Sequence, residues 1–155
     1  MIELKDFVDI IIYASFCSLL VMISGFHWPR ELFDYTAKFF LPKKWEINSD
    51  IYSILKVSKW KDKVPDVSKY IKKIPAKQIT KSSVDAIKIL IKETCVAEVA
   101  HYLLIILAIP INFISDGLSG FICFLMYSLG NLPYIIIQRY NRPRLIKLLE
   151  RMENR

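Results

Sequence analysis

NLPYIIIQRYNRPR, residues 131–144, decides how this chain is read. An apolar run closes there in a dense polar block, Gln138-Arg139-Tyr140-Asn141-Arg142-Pro143-Arg144. Such a change reads as the cytoplasmic mouth of a transmembrane helix, where the apolar span meets interfacial cations. An anchor needs only the cations. The amides and phenol of Gln138, Asn141 and Tyr140 add hydrogen-bonding chemistry, which points to a site. An earlier polar cluster, Glu93-Thr94-Cys95 with Glu98 and His101, is expected beside it.

Composition sets the class. The chain has 155 residues, 54% hydrophobic and 24% charged, with a net charge of +7. Apolar spans separated by a basic, water-facing part explain that mixture. A basic excess fits nucleic acid or an anionic membrane. The long apolar runs decide for the membrane and against nucleic acid. Cys17, Cys95 and Cys123 show neither metal spacing nor a disulfide framework. Cys17 and Cys123 fall inside apolar runs and read as packing residues.

Working outward, residues 7–26 carry Asp9 as their only charge and are long enough to cross ~30 Å of hydrocarbon. Lys5 is offset by Glu3, Asp6 and Asp9, so this run reads as a retained helix rather than a signal peptide. His27-Trp28-Pro29-Arg30 marks its far interface. Residues 27–95 form a basic layer in which aromatic residues alternate with lysines, as on a headgroup surface. Within it, 50–61 reads as an amphipathic helix, and Asp66 is placed to cap a following one. Ile87, Leu90, Ile91 and Thr94 supply a helical stripe that leads without a break into a second span, 96–114, with a kink expected at Pro110. Ser115-Asp116-Gly117 is a turn, 118–137 a third span interrupted by Gly130 and Pro133, and 145–152 a short interfacial helix. The fold class is therefore an all-α integral membrane protein: three transmembrane helices, a basic amphipathic cytoplasmic layer and a C-terminal interfacial helix, in one membrane domain over 1–155. The cations orient it with the N-terminus outside and the C-terminus cytoplasmic, as a multi-pass protein of the cell membrane.

Counting back from the turn places His101 at the depth of Leu132, Glu98 near Ile135 and Glu93 near Tyr140. Cys95, Glu98 and His101 share one helix face. Ionisable residues inside a span are costly and point to function. His101 can take a proton from a hydroxyl, with Glu98 orienting it. Arg139 and Arg142 can hold phosphate or carboxylate oxygens. Other readings stay open: Glu98 and His101 as a structural pair, a metal site built on Glu-x-x-His, or Arg139–Arg144 as an anchor. A di-metal bundle needs two such motifs and this chain has one. No metal or cofactor is expected. Neither histidine is followed by the His-x4-Asp pattern of acyltransferases; His27 leads to Leu32 and His101 to Ile106.

Three segments carry a resemblance: Lys59-Trp60-Lys61-Asp62-Lys63-Val64-Pro65-Asp66, then Glu93 through Tyr102, then Asn131-Leu132-Pro133 through Arg144. Together they resemble the glycosyl-4,4'-diaponeurosporenoate acyltransferase family of carotenoid biosynthesis. Tyr102 stands where tryptophan is expected in many members. The resemblance implies transfer of a long-chain fatty acyl group from a donor such as acyl-CoA. The acceptor it implies is a sugar hydroxyl of a glycolipid or glycosyl-carotenoid. From their side-chain chemistry and spacing, not from the resemblance, His101 is the base of such a reaction and Glu98 assists it. Gln138, Arg139, Tyr140, Asn141, Arg142 and Glu93 line the substrate, and Trp60, Asp62 and Asp66 close the site. The alternative is a non-catalytic membrane protein for lipid binding or complex assembly.

Overall fold

The computed structural model describes residues 3–48, 50–65, 84–115 and 117–154. Every described element is helical: α1 (Leu4–His27), the short α2 (Lys44–Asn48), α3 (Ile51–Ile54) and α4 (Val57–Trp60), then α5 (Val84–Leu107) and α6 (Leu118–Glu153). Three helical stretches are long and apolar enough to cross a membrane: Leu4–His27, Val84–Phe113 and Leu118–Glu153. The chain divides into two compact units. The first comprises Met1–Trp28 and Glu98–Ile135, the second Pro29–Ala97 and Ile136–Arg155.

Periodicity explains the long helices. Along α5 the buried residues Ile87, Ile91, Cys95, Glu98 and Leu104 are spaced by three, four or their sums, and Ala108 just past its end continues the series, so this stripe faces inward. Thr94 lies on the same stripe; Leu90, expected there too, is half-buried. Along α6 the buried residues Ile135, Arg142 and Leu149 recur every seventh position.

That phase carries through Pro143 without a shift. The separate helix expected at 145–152 is therefore the last part of one 36-residue helix. Proline removes one backbone donor, but a constant inward face on both sides keeps the helix in register. At Pro110 the difference runs the other way. The α-helix ends at Leu107, and Ile109–Phe113 winds more tightly as a 3-10 turn. Ile111 N–H bonds to the Ala108 carbonyl at 3.0 Å. The Leu107 carbonyl instead accepts the Tyr13 hydroxyl at 2.8 Å, which ties α1 to the end of α5.

In the first unit, Ile10, Ala108 and Ile111 form the core, with Tyr13, Cys123, Phe124 and Tyr127 packed on it. Ser18 and Tyr127 share a hydrogen bond of 2.9 Å. Gly120 sits where a Cβ would lie 2.7 Å from the Ser115 carbonyl oxygen, so only glycine lets α6 start so close to the preceding turn. Cys17 is buried and Cys123 half-buried, both as free thiols.

In the second unit, Ile87, Ile91 and Leu149 form the core, with Tyr35, Leu145 and Met152 against it. The helix expected over 50–61 is divided. Asp50, before α3, and Lys56, between α3 and α4, adopt left-handed φ values of 44° and 50°; Val57, directly after Lys56, is fully buried. The cap expected from Asp66 lies outside the described residues.

Candidate functional site

The first unit holds the histidine. His101 Nδ1 lies 2.8 Å from Asn131 Oδ1, and its ring stacks on Tyr134 at 4.5 Å between centroids. Asn131 and Tyr134 lie either side of Leu132, the depth counted from the turn. The amide of Asn131 is itself oriented, because Nδ2 donates to the Tyr127 carbonyl at 2.9 Å. Its oxygen must then face the imidazole and accept. Nδ1 therefore carries the proton, and Nε2 carries the lone pair. This geometry sets the ring plane and the tautomer together. Glu98, one helical turn before His101 on α5, is 0% exposed.

The second unit holds the arginines. Arg142 is only 2% exposed. Its guanidinium donates to Thr94 Oγ1 at 2.9 Å, the Thr94 carbonyl at 3.1 Å and the Phe40 carbonyl at 2.9 Å. It lies over the Phe40 ring at 5.0 Å. Thr94 in turn donates to the Ile91 carbonyl at 2.6 Å. Arg139 forms a two-pronged pair with Glu46, Nε to Oε1 at 2.8 Å and Nη2 to Oε2 at 2.5 Å, and also reaches the Leu41 carbonyl at 3.1 Å. Glu46 further accepts the Tyr52 hydroxyl and the Lys43 amide. Burial pushes the Glu46 carboxyl up, but Arg139, Tyr52 and the Lys43 amide outweigh it and hold the group at about 2. Burial and the adjoining Glu46 carboxylate push the Tyr52 phenol above its ordinary value.

The guanidinium groups expected to receive substrate oxygens thus bind the chain's own carbonyls and carboxylate. Arg139 and Arg142 fasten the segment 39–46 to α6, and Arg142 reaches α5 as well. Glu93 pairs with Arg30, Nε to Oε1 at 2.7 Å. Tyr140 is buried, edge-on to Tyr52 at 5.7 Å, with the Arg144 guanidinium 3.4 Å over its ring. Gln138 and Asn141 are half-buried. Trp60 donates to the Leu55 carbonyl at 2.9 Å, closing its own turn. Asp62 pairs with its neighbour Lys61 and is mostly exposed. Asp66 lies outside the described residues.

Sequence reasoning missed Asn131 and Tyr134 as partners of His101, and Glu46 and Tyr52 as partners of Arg139. Asn131 was within reach: a lone amide one residue from the depth assigned to His101 is a natural partner. No comparable signal pointed to Glu46, which is 93 residues from Arg139.

Comparison with known sequences agrees with the three quoted segments. The sequence model of the glycosyl-4,4'-diaponeurosporenoate acyltransferase family matches residues 36–151. The chain belongs to this family. Relatives named glycosyl-4,4'-diaponeurosporenoate acyltransferase from Staphylococcus aureus strains MRSA252 and USA300 are each 34% identical over 102 residues. The aligned part covers 64% of this chain and 60% of each relative, so the chain spans less than two thirds of the length of the relatives it matches. No solved structure matches.

Proposed function

We propose that this family member is a membrane-embedded acyltransferase that moves a long-chain fatty acyl group onto a hydroxyl of a glycosylated lipid or carotenoid. The observation that carries the chemistry is the fixed imidazole of His101. A neutral ring with its proton held on Nδ1 by Asn131 presents a basic Nε2. In the reaction, Nε2 takes the acceptor's hydroxyl proton as that oxygen attacks the acyl carbonyl. The carbon–oxygen bond forms, the bond to the donor's leaving group breaks, and the imidazolium returns its proton to that group. Glu98, buried on the same helix face, is the residue proposed to orient the ring during transfer. The acyl donor proposed is a thioester such as acyl-CoA, and the acceptor follows from the names of the relatives.

The bilayer is the proposed surroundings. On α1 the side chains of Ile11, Ile12, Phe16, Leu19, Leu20 and Ile23 face outward. So do Phe121, Ile122, Leu125, Met126 and Leu129 on α6. Such continuous apolar faces are stable against acyl chains rather than water. The orientation proposed from the cations keeps the N-terminus outside and the C-terminus in the cytoplasm.

Lipid mass spectrometry tests the proposal, comparing cells that lack the protein with cells carrying the wild type or His101→Ala. Loss of one acylated glycolipid in both the deletion and the variant is the expected result. A second reading has its own support, because the Asn131 bond and the Tyr134 stack also join α5 to α6. In that case His101 is a fastener. His101→Ala would then lower the melting temperature of the purified protein, while the lipid profiles of deletion and variant both match the wild type.

A further inference from the structure

The short helices of the second unit leave an unusual surface. Their inward positions are filled: Phe40 and Val57 are buried, and Glu46 is clamped by Arg139. Three large apolar side chains on the same segment point the other way. Ile47 is 68% exposed, Ile54 67% and Trp45 57%. Left-handed Asp50 stands before α3 and left-handed Lys56 before α4, so each of these two short helices starts in a new direction. Exposed apolar groups on so short a segment are costly in water.

The surrounding charge says what covers them. Over 38–61 the lysines are Lys38, Lys43, Lys44, Lys56, Lys59 and Lys61, while the acids are Glu46 and Asp50. Glu46 is already neutralised by Arg139, so the segment presents a net positive field. Lys44, Lys56 and Lys59 are exposed. Apolar rings and chains flanked by outward lysines match a bilayer surface with anionic headgroups.

We propose that the segment 44–59 docks on an anionic bilayer surface, with Trp45, Ile47 and Ile54 entering the acyl-chain boundary and Lys44, Lys56 and Lys59 meeting lipid phosphates. The inference rests on the membrane reading above, and the test separates the two. The full-length protein is reconstituted in vesicles of equal parts phosphatidylcholine and phosphatidylglycerol, and resistance to alkaline carbonate reports membrane insertion by itself. Bromine is then placed on the acyl chains of one lipid at a time. The difference between wild type and Trp45→Phe isolates the fluorescence of Trp45 from that of Trp28 and Trp60.

Brominated phosphatidylglycerol should quench Trp45 at least about two-fold more than brominated phosphatidylcholine. That preference should vanish in Lys44→Gln/Lys56→Gln/Lys59→Gln. Two results overturn the proposal in a carbonate-resistant protein. Trp45 untouched by either brominated lipid means that the surface faces water or a protein partner. Equal quenching by both lipids means that the lysines do not select anionic headgroups.

Discussion

The two units fasten their helices with different chemistry. In the first, three neutral links join the helices: the Tyr13 hydroxyl to the Leu107 carbonyl, Ser18 to Tyr127, and His101 to Asn131. In the second they are charged: Arg142 on two carbonyls, Arg139 on Glu46, and Arg30 on Glu93. The difference follows from helix length. A long helix satisfies its own backbone, so α1 and the first part of α6 need little help from side chains. The second unit starts with helices of four or five residues, whose carbonyls have few partners of their own. The carbonyls of Phe40 and Leu41 lie just before such a helix and need donors. A guanidinium carries five N–H groups in a rigid fork and can serve several of them at once. Arginines 139 and 142 therefore do in one place what a continuous helix does along its length.

That contrast can be broken at its ends. The largest effect should fall on the proposed chemistry in the first unit, where His101→Ala removes the proposed base and is expected to lower acyl transfer by about 10²–10⁴-fold in a turnover assay. The membrane-extracted protein should keep its helical circular dichroism. Next comes the fold of the second unit. Arg142→Leu leaves the Phe40 and Thr94 carbonyls buried without their donor and should cost about 4 kcal/mol. Limited proteolysis should then cut within 39–46, while α1 stays protected.

Glu46→Gln sharpens the contrast through pH. The Glu46 carboxyl moves from an ordinary 4.5 to about 2 in the folded chain. A depressed value stabilises the fold at every pH above 4.5, and that stability is lost as the pH falls from about 4.5 towards 2. The contribution at neutral pH is on the order of 3 kcal/mol. Wild-type melting temperature should drop across that acid window. The variant should start lower and lack this contribution to the slope.

Gly120→Ala acts on the first unit alone. Its new methyl group meets the carbonyls of Ser115 and Asn112, neither of which is the free end of a flexible side chain, so about 2 kcal/mol of stability should be lost in thermal unfolding. The smallest effect belongs to Glu93→Gln. Arg30 and Glu93 keep 25% and 21% of their side-chain surface exposed, so the loss should stay below about 1 kcal/mol in the same measurement.

The sequence was most legible where structure is local. Apolar periodicity located three membrane-length helices and the inward stripe through Ile87, Ile91 and Thr94. Counting from the turn at Gly117 placed His101 opposite Leu132, within one residue of its true partner Asn131. It failed where local rules compete. Interruptions expected at Gly130 and Pro133 and a separate helix expected at 145–152 are absent from α6, which runs unbroken from Leu118 to Glu153 with Ile135, Arg142 and Leu149 repeating every seven residues. An amphipathic pattern promised one helix over 50–61, and left-handed Lys56 divided it.

By itself, then, the sequence determined the helical class, the apolar stretches, the family motifs and the face shared by Glu98 and His101, because each depends on spacing within a single segment. Only the tertiary structure decided that Asn131 sets the tautomer of His101, and that Arg139 and Arg142 bind the chain's own segment 39–46. Those partners lie 30 to 102 residues apart. Which donor meets which acceptor over such separations is fixed by where the intervening chain returns, and no local pattern encodes that.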